Sequence, residues 1–173
     1  LNEGELIGLV GESGCGKTTL MLALLRLLPS AGQIVNGRVF FNGTDLTALS
    51  EEEINAVRWK DISIVFQGAM NALNPVRTVG DQIQEAIIKH LPGFPRDQRL
   101  QERVVELLDL VGIAADHKNH YPHQYSGGMR QRAMIAMALA CTPSLLIADE
   151  PTTALDVTIQ AQIIELVKRL KQD

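Results

Sequence analysis

A glycine-rich loop near the start of the chain limits the possible folds more than any other feature. Gly11, Gly14 and Gly16 lie between an apolar run at residues 6–10 and a longer apolar-periodic stretch. This order predicts a strand at 6–10, a loop, and a helix over residues 17–28. Glycines let successive backbone N–H groups turn inward and form an anion-binding nest at the start of the helix. The sequence therefore predicts an α/β fold with a phosphate-binding loop.

The side chains of this loop suit a nucleoside triphosphate and its metal ion. Lys17 can reach the β- and γ-phosphate oxygens, and the hydroxyl of Thr18 can ligate Mg²⁺. We expect Thr19 to support the helix more than to act as a ligand. The predicted contacts with ATP from this segment are Gly11, Ser13, Gly14, Cys15, Gly16, Lys17, Thr18 and Thr19.

A pair of carboxylates ends a second apolar run. Asp149 and Glu150 follow residues 145–148, and the run is short, continuous and bounded by Pro143 and Pro151. Such a run is typical of a buried parallel strand, and ligands of α/β sheets bind at the carboxyl ends of the strands. Asp149 is predicted to hold Mg²⁺, directly or through a water, and Glu150 to polarise the attacking water as a general base.

A third segment places a serine and two glycines before a helix. Ser126, Gly127 and Gly128 precede a predicted helix at 128–140 and lie between the phosphate-binding loop and Asp149. In this position the segment resembles the signature of ATP-binding cassette (ABC) ATPases. The serine hydroxyl and the bare backbone of the glycines form a second phosphate site at a helix start. In that family the signature of one subunit closes on ATP held by the other, so the resemblance implies a dimer. Tyr125 and Met129 depart from the commonest family pattern.

The resemblance also implies roles that the residues alone would not carry. Gln67, after a predicted strand at 62–66, falls in the loop that senses the γ-phosphate and contacts the metal and the catalytic water. Asp156 falls in the short loop that crosses the dimer interface, although capping of a helix beginning near Thr158 explains it equally well. The implied fold is that of P-loop NTPases (RecA-like), with a mostly parallel sheet, a small antiparallel β-arm and an inserted helical subdomain.

Three longer segments carry a narrower resemblance, at residues 72–80, 121–132 and 156–162. They resemble the ATPases of oligopeptide, dipeptide and nickel importers. This resemblance implies an ATP-hydrolysing subunit at the cytoplasmic face of the membrane, peripheral, with permease subunits and, indirectly, a solute-binding protein as partners. The partner is expected to dock near residues 68–78. A non-hydrolysing regulatory module, or an ATPase of another ABC class, is the alternative.

Breaks in the pattern predict the domain organisation. The core is expected at about 1–77 and 141–173, and the helical subdomain at about 78–140, with helices near 79–90 and 97–111. A β-arm at 38–41 should turn at Asn42 and Gly43, and Ser50 should begin a helix. The family also has an aromatic residue that stacks on adenine and a switch histidine. Neither can be assigned to a residue of this sequence, so we expect the chain to be part of a longer domain.

Composition excludes several other classes. The net charge of −4 comes without a basic stripe, which argues against nucleic acid as a partner. Arg58, Trp59 and Lys60 are interpreted as the end of a surface helix. Two cysteines fit a reducing compartment. Residues 19–28, the most apolar stretch, are too few to span a membrane. The sequence lacks both the coiled coil of DNA-repair ABC ATPases and a guanine-reading Asn-Lys-x-Asp motif.

Overall fold

The computed structural model describes residues 1–2, 4–66, 72–151 and 157–170, the last two of them without their side chains. Within these ranges the chain forms six α-helices and four strands. They are α1 (Lys17–Leu24), β1 (Phe40–Phe41), β2 (Thr44–Asp45), α2 (Glu51–Val57), β3 (Ile62–Val65), α3 (Val79–His90), α4 (Gln98–Leu110), α5 (Gly127–Ala138), β4 (Leu145–Ala148) and α6 (Val157–Leu170).

Strands β3 and β4 form a parallel pair in which Ile62 lies opposite Leu145 and Val65 opposite Ala148. Successive side chains of a strand point to opposite faces of the sheet. Ile62 and Ile147 accordingly contribute to one apolar cluster, whereas Val65 contributes to another. Because the strands are parallel and in this register, their carboxyl ends lie side by side at one edge of the sheet.

The two clusters place helices on both faces of this pair. The first, which we call the helical cluster, joins α3, α4, α5 and α6 to Val65 and the partly buried Leu146. The second, the hairpin cluster, packs Leu25, Leu46 and Ile54 on the opposite face. Met21 and Leu24 of α1 are packed against the hairpin cluster, so this helix is held against the sheet by its apolar side chains.

Local signals explain several elements, and these predictions are confirmed. Asn42 (φ 47°) and Gly43 (φ 80°) turn β1 into the antiparallel β2, as positive φ values in a two-residue hairpin require. Ser50 begins α2 with a capping box, because its Oγ accepts from the Glu53 N–H and the Glu53 carboxylate accepts from the Ser50 N–H. Thr78 caps α3, which spans the predicted residues 79–90.

Two predictions near the phosphate-binding loop are wrong. Residues 6–10 do not form a strand, and Val10 is 93% exposed. A strand needs a neighbour to pair its backbone groups, and no strand among the described residues pairs with this run. Helix α1 ends at Leu24 instead of residue 28. Arg26 takes the left-handed conformation (φ 52°), and its guanidinium hydrogen-bonds the Leu49 carbonyl, which turns the chain out of the helix.

The division into a core and a helical subdomain stays a prediction. Helices α3, α4 and α5 contact one another, as an inserted helical unit would, but α5 also contacts β3. The helical cluster is therefore continuous with one face of the sheet. Within the described ranges, none of the helices combines the length and the apolar character needed to cross a lipid bilayer.

Candidate phosphate-binding and catalytic site

The loop before α1 has the backbone of an anion-binding nest. Gly14 (φ 81°) and Gly16 (φ 96°) lie in the left-handed region, where glycine is favoured. Gly16 occupies the N-cap position, and no side chain in the described part of the chain caps α1. Helix N–H groups without a capping side chain remain available to an anion, and the helix dipole favours negative charge there. Ser13, Cys15, Thr18 and Thr19 are exposed around this helix start.

The Lys17 ammonium group lies across the loop. It donates to the carbonyl oxygens of Gly11 (2.7 Å) and Glu12 (2.9 Å) and lies 3.8 Å from the Cys15 Sγ. The side chains are close-packed at this point, since a Cβ added to Gly11 would lie 2.6 Å from that sulfur. Lys17 thus holds a positive charge directly at the nest. A phosphate can compete with the two carbonyl groups for its three donors.

Asp149 and Glu150 lie at the carboxyl end of β4, as predicted. Asp149 is only 2% exposed, and its backbone N–H donates to the Val65 carbonyl across the sheet (2.9 Å). Its Oδ2 is buried and accepts no hydrogen bond from any described group. A buried carboxylate oxygen without a partner is costly, which makes it a suitable ligand for a cation or for a metal-bound water.

Glu150 differs from its neighbour in exposure and backbone. Its side chain faces solvent, and its φ of 45° places a non-glycine residue in the left-handed region. Such conformations cluster at functional sites, where the surrounding structure maintains them. An exposed carboxylate next to a buried one separates the two roles, because water reaches Glu150 while Asp149 remains shielded. This geometry suits the predicted division into general base and metal ligand.

The signature segment begins α5 as predicted. Ser126 is the N-cap residue, and its Oγ accepts from the Met129 N–H (3.2 Å), so its hydroxyl hydrogen can still be donated to a ligand. Gly127 opens the helix and Gly128 is buried beneath α6, where an added Cβ would lie 2.9 Å from the Ile159 side chain. Packing against α6 therefore favours a residue without a side chain at this position.

Tyr125, which stands where the family usually has leucine, anchors the segment. It is 3% exposed, and its hydroxyl donates to the His117 carbonyl (2.9 Å). Burial, with a smaller effect from the Asp116 charge, raises the pKa of Tyr125 to about 12. The Tyr125 carbonyl in turn accepts from Arg130 in the first turn of α5. These bonds fix the chain directly before Ser126.

Two predicted site residues, Gln67 and Asp156, lie outside the described residues. The register of β3 and β4 nevertheless brings the described neighbour of one of them, Phe66, to the same sheet edge as Asp149. Asp149 and Glu150 thus lie at the same edge of the sheet. The phosphate-binding loop precedes α1, which packs on that sheet. Within the described ranges no group of three His, Cys, Asp or Glu side chains could hold a metal ion.

Sequence reasoning missed one structural feature. Arg58 and Trp59 do follow the end of α2, but they are partly buried and are not part of an open surface. Trp59 donates its indole N–H to the Met137 carbonyl of α5, and Arg58 donates to the Leu25 carbonyl after α1. The signal available in the sequence was a basic residue next to the chain's sole tryptophan. The end of a surface helix was a sufficient explanation for that pair, so no tertiary contact was predicted.

Comparison with known proteins identifies the family of this chain. A family profile described as "ABC transporter" matches residues 1–153. The probable peptide ABC transporter ATP-binding protein y4tR of Sinorhizobium fredii is 54% identical over 99% of this chain and 51% of its own length. The dipeptide transport ATP-binding protein DppD of Bacillus subtilis is 50% identical over 99% of this chain and 52% of its own.

A solved structure gives the same answer for the fold. It is described as the dimeric, post-hydrolysis state of the ATP-binding cassette MJ0796 bound to ADP and Pi. It has a TM-score of 0.85 at 32% identity and covers 99% of this chain and 71% of its own. The P-loop NTPase architecture predicted from the sequence is thereby confirmed. The chain spans about half the length of the curated relatives it matches. Because the family profile covers most of its residues, the chain belongs to the ABC transporter family.

Proposed function

We propose that this chain is the nucleotide-binding part of an ATPase subunit that powers the import of peptides, or of nickel and related solutes, across a membrane. The observation that carries the proposal is the phosphate-binding loop, in which two left-handed glycines and Lys17 surround the uncapped start of α1. The peptide and dipeptide transport names of relatives about 50% identical support the choice of substrate class.

Mg²⁺ fits the donor set at the sheet edge. When bound, the ion would neutralise the negative charge that develops on the phosphate oxygens. The buried Asp149 Oδ2, which has no described hydrogen-bond partner, is a suitable ligand, with the Thr18 hydroxyl and Gln67 as further ligands. Glu150, exposed and next in sequence, would accept the proton of the attacking water, with Gln67 orienting that water.

A dimer would supply the second phosphate site. One ATP needs one phosphate-binding helix start, yet this chain has two, at α1 and at α5. We infer that Ser126, Gly127 and Gly128 of one copy close on ATP held at the loop of another, with Asp156 contributing at the interface. The similar MJ0796 cassette is described as a dimer with ADP and Pi, which supports this arrangement.

A permease segment would dock in a groove beside this site. A cavity of about 430 Å³ lies between α2, β3 and α3, with Trp59 and Phe66 among its lining residues. The adjoining loop is shaped by the buried Gln82, whose side-chain amide donates to the carbonyl groups of Asn74 and Arg77 (3.1 Å each). The described residues 74–77, which these hydrogen bonds hold, would contribute to this docking surface. Docking of a permease at this surface would keep the subunit at the cytoplasmic face of the membrane.

The test is ATP hydrolysis by the full-length protein with a Glu150→Gln variant, combined with size measurement in Mg-ATP. We expect the variant to lose at least 100-fold in turnover, as removal of a general base does, and to accumulate as an ATP-bound dimer. Glu52→Gln, an exposed carboxylate on α2, is the matched control and should behave as wild type. Turnover of Glu150→Gln within a few-fold of wild type would refute the general-base role. Binding without hydrolysis in every variant would favour a regulatory module.

A further inference from the structure

Two consecutive residues after α2 contact two different helices at their C-terminal ends. Arg58 and Trp59 are partly buried, and their side chains point to opposite partners. The Arg58 side chain reaches the end of α1, and the Trp59 side chain reaches the end of α5. Both partners are the helices whose starts form the proposed phosphate sites. We call this pair of residues the clasp.

Arg58 fixes the end of α1 through a fork of hydrogen bonds. Its Nε donates to the Leu25 carbonyl (2.9 Å) and its Nη2 to the Arg26 carbonyl (3.0 Å). These carbonyl groups belong to the turn that terminates α1, where the helix dipole favours a cation. The planar guanidinium also bonds Asn55 and Glu51 on its own helix, so it ties α2 to α1 in a defined geometry.

Trp59 fixes the end of α5 in the same way. Its indole N–H donates to the Met137 carbonyl in the last turn of α5 (2.9 Å), across 78 residues of sequence. Its ring stacks on His90, the last residue of α3, with ring centroids 5.5 Å apart and planes 13° apart. The backbone of Trp59 is left-handed (φ 69°) and is held by its N–H bond to the Ile62 carbonyl (2.8 Å).

The backbone conformation of Trp59 is unusual for a residue of its size. Left-handed φ is unfavourable for a bulky residue and persists only where the surroundings require it. This conformation directs the Trp59 indole towards α5, whereas the side chain of Arg58 is directed towards α1. Since Arg58 and Trp59 are adjacent in sequence, their hydrogen bonds link the ends of α1 and α5 through one short segment of chain.

We propose that the clasp is a positioning element that sets the orientation of α5 relative to α1. Both helices run from a proposed phosphate site to the clasp, so a rotation permitted at the clasp would displace Ser126 relative to the phosphate-binding loop. Arg58 and Trp59 thus act through the helices and do not contact nucleotide. This inference rests on the proposed ATP-driven dimer, and the clasp determines how readily the signature reaches its partner's ATP.

The test uses full-length protein carrying Glu150→Gln, which traps the dimer, as the parent. Trp59→Phe keeps a ring to stack on His90 but removes the N–H bond to Met137. Arg58→Lys keeps the charge but removes the fork. Three quantities are measured: the affinity of the monomer for ATP at low protein concentration, the dimer dissociation constant in Mg-ATP, and the urea midpoint of unfolding.

We expect both clasp variants to bind ATP within about twofold of the parent and to dimerise at least tenfold more weakly. Ser50→Ala is the matched control, because it destabilises the other end of α2 without contacting α1 or α5. It should dimerise as the parent does, even if its urea midpoint falls as far. If the clasp were merely structural, the dimer dissociation constants of all three variants would rise in proportion to their loss of stability.

The outcomes separate the two proposals. If the parent dimerises and both clasp variants dimerise as tightly as the parent, the clasp has no positioning role and the proposed function stands. If the Ser50→Ala control loses dimerisation as much as Trp59→Phe, the effect is general instability and the inference is wrong. A parent that binds no ATP and forms no dimer would overturn the proposed function together with the clasp.

Discussion

The N-terminal turn of α3 offers a sharp test of the packing around the signature segment. Gly80 lies on this turn, and a Cβ added there would be 2.7 Å from the carbonyl oxygen of Lys118 and 3.2 Å from the Lys118 Cβ. The neighbouring Val79 N–H donates to the His120 carbonyl (3.0 Å), so the two segments cannot separate without breaking this bond. Gly80→Ala should therefore force the chain at 118–120 away from α3.

The expected magnitude follows from two opposing effects. Alanine in place of glycine favours a helix by at most about 1 kcal/mol. Overpacking a close contact costs about 1–3 kcal/mol, and the upper end applies because the atom in the way is backbone and cannot rotate aside. The net result is a loss of roughly 2 kcal/mol in the free energy of unfolding, or about 30-fold in the folding equilibrium.

Urea unfolding of the full-length protein measures this loss, with Gly93→Ala as the control. Gly93 lies in the turn between α3 and α4, and a Cβ there would meet nothing within 4 Å. The control should be neutral or slightly stabilising, because alanine restricts the unfolded chain. Equal midpoints for the two alanine variants, with unchanged slopes, would show that Gly80 is not pressed against Lys118 and would refute the packing described here.

Three further changes test other parts of the structure. Ser50→Ala removes the Oγ that accepts from the Glu53 N–H, and loss of this cap should cost about 1 kcal/mol in urea unfolding; no loss would contradict the capping box. Tyr125→Phe removes the bond to the His117 carbonyl and should cost about 1–2 kcal/mol. Because the folded state raises the pKa of Tyr125 to about 12, wild-type stability should fall as pH rises from 10 through 12, and the variant should lack this component. A brief pulse of iodoacetamide should modify the exposed Cys15 and spare Cys141, which is buried and has its pKa raised to about 11, and bound ATP should slow the reaction; peptide mapping that finds Cys141 modified first would contradict both assignments.

Elements set by neighbouring residues could be predicted from the sequence. The Asn42-Gly43 hairpin, the Ser50 capping box and helix α3 depend on signals within four or five residues of each other, and the structure confirms all three. The start of α1 after the glycine-rich loop is of the same kind, since the glycines, Lys17 and the helix start are contiguous, whereas phosphate binding there stays a prediction. The local sequence was sufficient to predict these elements because its preferences agree with the conformation that the fold requires.

Features that depend on distant partners could not be predicted in this way. Residues 6–10 have the composition of a strand, but pairing is a property of two segments, and no described strand lies beside them. The early end of α1 reflects Arg26, whose side chain bonds Leu49 and Glu51 more than twenty residues away. The roles of Gln67 and Asp156 came from family resemblance alone and stay predictions.

The stability of this chain and its chemistry reside in different places. The apolar clusters bury side chains such as Ile83, Leu108 and Ile135 almost completely. At the candidate phosphate-binding site the described interactions are incomplete: no described side chain caps α1, the Asp149 Oδ2 is buried without a hydrogen bond from any described group, and Glu150 has a left-handed backbone. We expect a bound phosphate to pair with the N–H groups at the start of α1 and a bound cation to pair with Asp149, whereas further packing would satisfy neither. Under the proposed function, the apolar clusters offset the cost of leaving these polar groups unpaired until nucleotide and metal bind.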